Sequence, residues 1–247
     1  MFAQPATWLQ LAGMPTFRGR RFLVGALAVL ALLLAPTAAT TADHIVVYGA
    51  ESGSHLTLST KGNKIIVKGF QSGRHPHGCW LAPNRMKSVC PARGNAIQVV
   101  MGPSGDFVEV ADRMPFPLTV YLGAGSDKFI GNAERDTCYS QGARRNRCVG
   151  GAGNDVCITG MRNSDCVGNA GDDYCRHQFG SDGCWGGPGN DVCVMGPGQD
   201  GCHGEGGNDR LYGGRSPDQL YGGPGWDYCD GQQGWGKSHT CDAGPRR

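Results

Sequence analysis

The chain has 247 residues, of which 42 are glycine and 12 are cysteine, and its formal charge of +2 is close to neutral. This length allows one or two domains, and the balance of charge argues against a nucleic-acid partner. Glycine is far above its ordinary usage, and its periodic spacing indicates a repeat rather than a disordered chain.

Residues 1–42 have the pattern of a secretory signal peptide. Arg18, Arg20 and Arg21 precede an apolar run over residues 22–34, and small residues follow it. The run is shorter than the roughly 20 apolar residues of a membrane span. We therefore expect a secreted, extracellular protein with no membrane contact after cleavage; an uncleaved anchor is the alternative. Removing these three of the 23 basic residues leaves 20 basic against 21 acidic residues.

Residues 43–121 predict a small β-rich region. Its apolar segments are short, rich in β-branched residues and separated by turn-forming Gly, Ser, Asn and Pro. The predicted strands are residues 45–48, 56–58, 64–67, 97–100, 107–110 and 118–121. We interpret the region as a cap on the solenoid that follows it, with a degenerate extension of that solenoid as the alternative.

Residues 122–230 are dominated by a nine-residue period, which predicts a solenoid. One inward position recurs every nine residues, with one extra residue after its second member: Phe129, Cys138, Cys148, Cys157, Cys166, Cys175, Cys184, Cys193, Cys202, Leu211, Leu220 and Cys229. Two residues before each of these lies a second column, which is mostly aspartate: Asp127, Asp136, Asp155, Asp173, Asp182, Asp191, Asp200, Asp209, Asp218 and Asp227. Asn146 and Ser164 fill its other two positions.

The residue types within one period predict its local structure. Three residues centred on the first column form a short strand whose central side chain points inward. The Gly-rich segment between strands must reverse the chain. Glycine supplies the positive-φ conformations for this reversal at Gly151, Gly153, Gly187, Gly189, Gly207, Gly214, Gly223 and Gly225. Two nonapeptides make one turn of the solenoid, so Asp155 and Asp173 belong to one file of carboxylates and Asp182 and Asp200 to the opposite file.

The stacked aspartates predict a bound cation. Carboxylates a few ångströms apart repel one another, so a positive charge is needed between them. Calcium accepts roughly six to eight oxygen ligands in loose geometry, whereas magnesium needs a stricter octahedron and zinc prefers His or thiolate ligands. We therefore predict that the ten aspartates are calcium ligands, with the weakest binding near Asn146 and Ser164. The alternative is that Asp and Gly act here only as turn formers.

The repeat unit reads G-G-x-G-x-D-x-U-x, where U is apolar, and residues 150–155 and 186–191 contain its cleanest copies. This unit resembles the calcium-binding nonapeptide of the RTX, or haemolysin-type, family. The resemblance covers only the repeat region, and it implies a parallel β-roll that winds around calcium ions and folds outside the cell. The expected fold class is all-β, a parallel β-roll solenoid after a small β-rich N-terminal region. Cysteine at the inward positions, where the family usually has Leu, Ile or Val, departs from the family pattern.

All twelve cysteines are disulfide candidates in an exported protein. We expect Cys79 to pair with Cys90, and Cys229 with Cys241. The other eight are Cys138, Cys148, Cys157, Cys166, Cys175, Cys184, Cys193 and Cys202. Bridges between neighbours nine residues apart would join the two sheets, and bridges between residues eighteen apart would join adjacent strands. We favour the first arrangement and expect no free thiol; buried thiols that act as small apolar side chains are the alternative.

No metalloprotease H-E-x-x-H, hydrolase G-x-S-x-G or Walker motif occurs in the sequence. We therefore expect a calcium-binding protein with a structural or adhesive role and no enzymatic activity. The alternative is a small secreted hydrolase with its site in residues 43–121 and the β-roll as a folding module. Residues 231–247 are expected to form a C-terminal cap and tail.

Two features point to partners besides calcium ions. Arg144, Arg145 and Arg147 form a basic cluster where the extra residue is inserted. A bulged turn with solvated charges explains this cluster, and an anionic extracellular polymer as ligand is the alternative. Trp185 and Trp226 lie in the repeats, and exposed aromatic rings can stack on a cell-surface glycan.

Overall fold

A computed structural model describes residues 44–49, 53–69, 79–81, 87–91, 96–110, 114–140, 142, 144–232 and 237–242. The predicted signal peptide, residues 1–42, lies outside the described residues. Within these ranges there is no helix with the length and apolar character that a membrane crossing requires.

The described residues form 21 β-strands. In chain order they are β1 (His44–Tyr48), β2 (His55–Thr60), β3 (Lys64–Lys68), β4 (Trp80–Leu81), β5 (Lys87–Pro91), β6 (Ala96–Val100), β7 (Phe107–Val110), β8 (Leu118–Leu122), β9 (Lys128–Ile130), β10 (Thr137–Ser140), β11 (Arg147–Ala152), β12 (Val156–Thr159), β13 (Asp165–Ala170), β14 (Tyr174–His177), β15 (Gly183–Pro188), β16 (Val192–Val194), β17 (Gly201–Gly206), β18 (Arg210–Tyr212), β19 (Gln219–Tyr221), β20 (Tyr228–Asp230) and β21 (Lys237–His239). Most are three to six residues long, as the repeat length predicts.

The strands alternate between two sheets. Sheet 1 has the order β1-β6-β8-β10-β12-β14-β16-β18-β20, and sheet 2 has the order β21-β19-β17-β15-β13-β11-β9-β7-β2-β3-β5-β4. Within each sheet, neighbouring strands from β7 to β20 pair in parallel. From β11 onward, residues eighteen apart face each other: Cys157 pairs with Cys175, and Cys175 with Cys193. The predicted fold class, a parallel β-roll solenoid, is confirmed.

The strands before residue 122 lie in the same two sheets as the repeats. All six strands predicted in residues 43–121 are present, with bounds that differ by at most two residues. β1, β6 and β8 continue sheet 1, and β2 and β7 continue sheet 2. Beyond β2, sheet 2 ends in the antiparallel strands β3, β5 and β4. The sequence around β4 and β5 has no alternating β-branched pattern, which explains why these two strands escape prediction.

The type of side chain that is buried between the two sheets changes along the chain. Upstream it holds buried Val, Leu and Ile side chains such as Leu56, Val99 and Val120. From residue 138 to residue 202 the inward side chain at every repeat centre is a buried cysteine. Because cysteine is smaller than leucine, the sheets approach closely, and the Cα atoms of Cys166 and Cys175 are 6.2 Å apart across the core. Packed sheets are commonly about 10 Å apart, so this roll is thin enough for disulfides to cross it.

Two rows of turns connect the sheets, one along each edge of the roll. Turns from sheet 2 to sheet 1 begin with glycine and form what we call the glycine edge: residues 131–136, 150–155, 168–173, 186–191, 204–209 and 222–227. Between residues 101 and 218, turns from sheet 1 to sheet 2 begin with a buried side chain, except at Gly213. They form the filled edge: residues 101–106, 122–127, 140–146, 159–164, 177–182, 195–200 and 213–218. Each turn has six residues, except 140–146, which contains the extra one.

Candidate metal centre

The sixth residue of each ordinary turn is the position predicted to bind calcium. All ten predicted aspartates are buried, with at most 5 % of the residue exposed. Each lies two residues before an inward strand residue, so the two-residue alternation of an extended chain also directs its side chain into the roll. Six of the ten belong to the glycine edge and four to the filled edge.

In the aspartates of both files, one of the two carboxylate oxygens, Oδ1, has a structural role. Oδ1 of Asp173 accepts a hydrogen bond from the backbone N–H of Asp155 (2.7 Å), and Oδ1 of Asp191 accepts one from Asp173 (2.7 Å). On the filled edge, the N–H of Asp182 donates to Oδ1 of Asp200 (2.7 Å). Each side chain thus reaches back to the preceding turn, and the files are hydrogen-bond ladders. Part of the aspartate pattern is therefore structural, as the turn-former alternative states.

Asn146 and Ser164 continue this ladder without a charge. Oδ1 of Asn146 accepts from the N–H of Asp127 (2.7 Å), and the N–H of Ser164 donates to Oδ1 of Asp182 (2.6 Å). Between them, the backbone nitrogen of Asn146 and Oγ of Ser164 are 3.4 Å apart. Both residues lie on the filled edge, so this edge lacks two carboxylates that the glycine edge retains.

The second carboxylate oxygen, Oδ2, is buried without a hydrogen-bond partner in nine of the ten predicted aspartates. The exception is Asp136, whose Oδ2 accepts from the N–H of Asn132 (2.8 Å). A buried carboxylate oxygen without a partner is unfavourable, so each of these groups needs a proton or a cation.

On the glycine edge, the unpartnered oxygen points into its own turn. A Cβ atom added to Gly150 would overlap Oδ2 of Asp155, and one added to Gly186 would overlap Oδ2 of Asp191. Only glycine leaves this space to the carboxylate. A carboxylate oxygen inside a turn of peptide groups offers the hard oxygen ligands that calcium prefers. The residues present therefore fit a calcium ion.

The predicted loop glycines have the conformation that chain reversal requires. All eight have φ between +99° and +152°, which is unfavourable for other residues. Seven are the second or fourth residue of a glycine-edge turn, and Gly214 lies on the filled edge. Asn169 and Glu205 take the second position in two further glycine-edge turns with φ of 74° and 73°. The five glycine-edge turns from residue 150 onward therefore share a left-handed second residue, even where a side chain makes that conformation unfavourable.

Burial raises the pKa of aspartate carboxyls on both edges, such as Asp155 and Asp182. Removal from water is the main cause, and neighbouring carboxylates raise several of these values further. The pKa is raised to about 8 for Asp155, to about 7 for Asp191 and Asp182, and to about 6 for Asp173 and Asp209. Without a cation, the carboxyls with the highest pKa hold protons at neutral pH. A cation favours their charged form, so cation binding is coupled to proton release.

The filled edge has a different interior. The first residue of its turns is a buried side chain: Met101, Leu122, Ser140, Thr159, His177 and Met195. Oγ1 of Thr159 and Nδ1 of His177 are 2.6 Å apart, and the same Nδ1 lies 3.8 Å from Oδ1 of Asp182. Burial lowers the pKa of His177 to about 4, so its imidazole is neutral at neutral pH. In the turn 177–182, a side chain therefore takes the place beside the aspartate that the glycine edge leaves open.

A second ladder runs along the outer side of the glycine edge, through the fifth residue of each turn from residue 150 onward. Oδ1 of Asn154 accepts from the N–H of Asp172 (3.0 Å), and Oδ1 of Asp172 accepts from the N–H of Asn190 (2.7 Å). Oδ1 of Asn190 accepts from Asn208 in the same way (2.9 Å). These bonds reach forward to the following turn, opposite to the aspartate bonds. Each of these turns is therefore tied to both of its neighbours.

This turn geometry has a known counterpart. The family model of the RTX calcium-binding nonapeptide repeat (4 copies) matches residues 119–144 and 203–234. The chain carries RTX calcium-binding nonapeptide repeats. RTX repeats bind calcium ions and are typically non-catalytic, so the chain is a calcium-binding repeat protein. No curated protein and no solved structure matches the chain.

The stretch between the two matched segments contains the cleanest glycine turns but departs from the RTX pattern at its inward positions and at two aspartate positions. Residues 145–202 contain Asn146, Ser164 and seven of the eight inward cysteines between residues 138 and 202. Disulfides join the two sheets at Cys138–Cys148, Cys166–Cys175 and Cys193–Cys202, which is the first of the two predicted arrangements. The expected pairs Cys79–Cys90 and Cys229–Cys241 are also formed.

Cys157 and Cys184 are free and buried, so the expectation that every cysteine pairs is wrong for these two. The reason is which neighbours are bridged along the column. Each inward cysteine has one neighbour before it and one after it, and both neighbours of Cys157, Cys148 and Cys166, are already paired with other residues. The same holds for Cys184. Burial raises the pKa of both thiols and keeps them protonated, so they pack as small apolar side chains.

Two carboxylates of the same ladders lie outside the predicted set. Asp106 is buried, its Oδ1 accepts from the N–H of Ser54 (2.6 Å), and its Oδ2 has no partner. The sequence signal is residues 102–108, G-P-S-G-D-F-V, which follow the repeat pattern upstream of residue 122. Asp242 closes the glycine-edge ladder at its C-terminal end, because its Oδ2 accepts from the N–H of Asp227 (3.0 Å).

The aromatic residues of the RTX repeats stack mainly on one another. The rings of Trp185, His203 and Tyr221 form a row on the outer face of sheet 2, with centroids 5.9 and 4.7 Å apart and nearly parallel planes. Each ring in the row covers a face of its neighbour, which leaves less area for a sugar. Trp226 is the more open ring, with 62 % of the residue exposed.

Proposed function

We propose that this calcium-binding repeat protein is secreted and that calcium and disulfides together stabilise its β-roll for a structural or adhesive role outside the cell. The observation that carries the proposal is the column of buried aspartates with an unpartnered Oδ2 on the same edge of successive turns. Buried carboxylates without partners destabilise the folded roll when they are charged, and a bound cation removes this destabilisation.

In this proposal, the aspartate residues hold the ion through Oδ2 while Oδ1 keeps its bond to the preceding turn. When bound, calcium supplies the positive charge that allows neighbouring buried carboxylates to stay ionised. The first glycine of each turn keeps the space beside Oδ2 open. Because the ion binds the folded roll and not the unfolded chain, it stabilises the roll by mass action. We expect the affinity of extracellular calcium modules, roughly 10⁻⁴ to 10⁻³ M.

The disulfides have a complementary part in the proposal. The three inner bridges cross the stretch in which two filled-edge turns lack a carboxylate. They constrain the unfolded chain there whether or not calcium is bound. Structural disulfides persist in oxidising compartments, which agrees with the secretory pattern of residues 1–42 and with an extracellular site of action.

An adhesive role is supported by the charge of the filled edge. Arg144, Arg145, Arg162 and Arg215 are exposed on its turns, whereas every aspartate described in its turns from residue 101 to residue 218 is buried. Arg145 is 3.0 Å from the carboxylate of Asp165, on the adjoining strand. The remaining arginines can bind an anionic extracellular polymer through its carboxylate or sulfate groups. Binding to a sulfated polysaccharide resin tests this role. We expect the wild type and a variant of Lys61 to be retained on the resin, and an R144A/R162A variant to lose retention.

The first test of the main proposal is a calcium titration of the oxidised protein that lacks residues 1–42, followed by calorimetry and circular dichroism. Binding of several calcium ions, with an increase in β signal or in thermal stability, and weak binding of magnesium are the expected results. Removal of calcium with a chelator should reverse the change. Absence of any calcium binding would contradict the assignment of the aspartates as ligands.

A further inference from the structure

We propose that calcium binds along one edge of the roll, at the glycine-edge turns 150–155, 168–173, 186–191, 204–209 and 222–227, and that on the filled edge no turn before residue 213 binds it. This inference rests on the proposed calcium ligands and narrows them. The aspartate column alone makes the two files equivalent, because it specifies only the sixth residue of each turn. The first and second residues make the edges different.

The first residue decides whether the space beside the aspartate is open. In the five glycine-edge turns it is Gly150, Gly168, Gly186, Gly204 and Gly222, and a Cβ at each would overlap Oδ2 of the aspartate in the same turn. On the filled edge the corresponding residues are buried side chains. His177 shows the consequence, because its Nδ1 lies 3.8 Å from the carboxylate of Asp182. An ion there would have to share the turn with an imidazole ring.

The second residue sets the backbone path around the aspartate. In all five glycine-edge turns it is left-handed, with φ from 73° to 126°. Among the described second residues of the filled edge, only Gly214 has positive φ. Because the peptide groups of a turn follow its φ and ψ angles, the carbonyl oxygens of the two edges are presented differently. Calcium needs several such oxygens besides the carboxylate, so the unpartnered Oδ2 that both edges share is not sufficient for a site.

The sixth residue gives independent support. Every glycine-edge turn from residue 131 to residue 227 has aspartate there, whereas the filled edge has Asn146 and Ser164 in two successive turns. A file of ions tolerates the loss of a carboxylate poorly, because each ligand must come from its own or the adjoining turn. A ladder of hydrogen bonds tolerates the loss, since amide and hydroxyl oxygens also accept from a backbone N–H.

Two turns differ from the other turns of their own edge. The turn 213–218 lies on the filled edge but begins with Gly213 and left-handed Gly214, and it ends with Asp218, so it has all the features of a site. The turn 131–136 lies on the glycine edge, but its Asp136 carboxylate is already satisfied by the N–H of Asn132. Five glycine-edge turns plus the turn 213–218 give an upper limit of six ion-binding turns.

Asp191 and Asp200 provide a matched pair for the test. They are nine residues apart in adjacent turns of opposite edges, and both are buried with an unpartnered Oδ2. Each Oδ1 accepts a backbone hydrogen bond of 2.7 Å from the preceding turn of its own edge. Asp191→Asn and Asp200→Asn therefore remove the same charge from equivalent ladders while the acceptor oxygen is retained.

The experiment measures calcium stoichiometry and affinity by isothermal titration of the wild-type protein and both variants in their oxidised form. We expect the Asp191→Asn variant to bind at least one calcium ion fewer, or to bind calcium about tenfold more weakly. We expect the Asp200→Asn variant to keep the wild-type stoichiometry, with an affinity that changes by less than about twofold. An equal loss in both variants, or no loss in either while the wild type binds calcium, would overturn the one-edge inference. If the wild type binds no calcium, the proposed function itself fails.

A gain-of-site variant keeps the test decisive if a charge-removing variant does not fold. H177G/Q178G converts the turn 177–182 to Gly-Gly-Phe-Gly-Ser-Asp, the sequence pattern of the glycine edge. We expect this variant to bind one more calcium ion than the wild type, with Asp182 as the carboxylate ligand. A triple variant that also carries Asp182→Asn should return to the wild-type stoichiometry. An unchanged stoichiometry in H177G/Q178G would show that the first two residues do not decide which edge binds calcium.

Discussion

Replacing Asp155 with asparagine should change the stability of the roll in opposite directions with and without calcium. Asparagine keeps the shape of the side chain and the oxygen that accepts the 2.7 Å hydrogen bond from the N–H of Asp136. It removes the charge of a buried group whose pKa is raised to about 8, chiefly by burial. In metal-stripped buffer, the variant should therefore be more stable than the wild type at alkaline pH.

The size of this effect follows from the pKa shift. A carboxyl whose folded-state pKa is raised contributes stability that is fully present below the pKa of the unfolded chain, near 4. That stability is lost as the pH rises through the folded-state value, here about 8. Each pKa unit corresponds to about 1.4 kcal/mol for a fully buried group. With allowance for solvent screening, we expect Asp155→Asn to raise the free energy of unfolding by about 1–2 kcal/mol at pH 9.

The assay is urea denaturation of both proteins at pH 4 and pH 9, in metal-stripped buffer and again with millimolar calcium. At pH 4 the wild-type carboxyl is neutral, so the two proteins should unfold at nearly the same urea concentration. With saturating calcium at pH 9, the order should reverse, because the variant lacks one ligand oxygen and loses part of the ligand stabilisation. Lower stability of the variant in metal-stripped buffer at pH 9 would refute the reasoning.

The remaining predictions concern the wild-type roll, its thiols and its outer ladder. In metal-stripped buffer, the free energy of unfolding of the wild type should fall as the pH rises from about 4 to about 8, and calcium should restore it; a flat profile in urea denaturation would contradict this. A thiol assay of the unreduced, denatured protein should find two thiols per chain, from Cys157 and Cys184, and none should react in the native state. Serine at both Cys166 and Cys175 should lower the free energy of unfolding by about 2–4 kcal/mol, whereas alanine at the unpaired Cys157 should have a smaller effect in the same thermal melt. Asn190→Ala should cost about 0.5–1.5 kcal/mol, because its Oδ1 accepts from the N–H of Asn208; no change in the urea midpoint would mean that this exposed bond contributes nothing.

Most of the fold could be predicted from the sequence because its period is simple. A residue every nine positions fixes the inward column, and pairing at eighteen fixes the neighbours, as Cys157, Cys175 and Cys193 show. The burial of the aspartates follows from the same alternation, since they lie two residues before the inward column. The upstream rungs were harder to predict because their glycine turns are degenerate, and Asp106 is recognisable only once the pattern is extended before residue 122.

The differences between the edges could not be predicted from the columns alone. The first residue of a turn, such as His177, is an ordinary residue in the sequence, and its importance appears only when its side chain is found beside an aspartate. Disulfide pairing was limited in the same way. Cys157 has two geometrically similar neighbours in the column, and which of them bonds elsewhere depends on the pairing of the whole set. The local sequence therefore predicts where a residue lies in the roll, but it does not predict which of two equivalent neighbours a cysteine bonds to.

The two unlike edges also restrict how such a protein can change its length during evolution. Gain or loss of a single nonapeptide would move every later turn to the opposite edge, so that glycine turns would follow side-chain turns within one file and interrupt both ladders. Gain or loss of eighteen residues preserves the edge of every turn and both directions of hydrogen bonding. The natural module of duplication is therefore a pair of unlike nonapeptides, and relatives of this roll should differ in length by multiples of that pair. The extra residue in the turn 140–146 shows the other permitted change, a bulge within one turn that leaves the strands on either side in register.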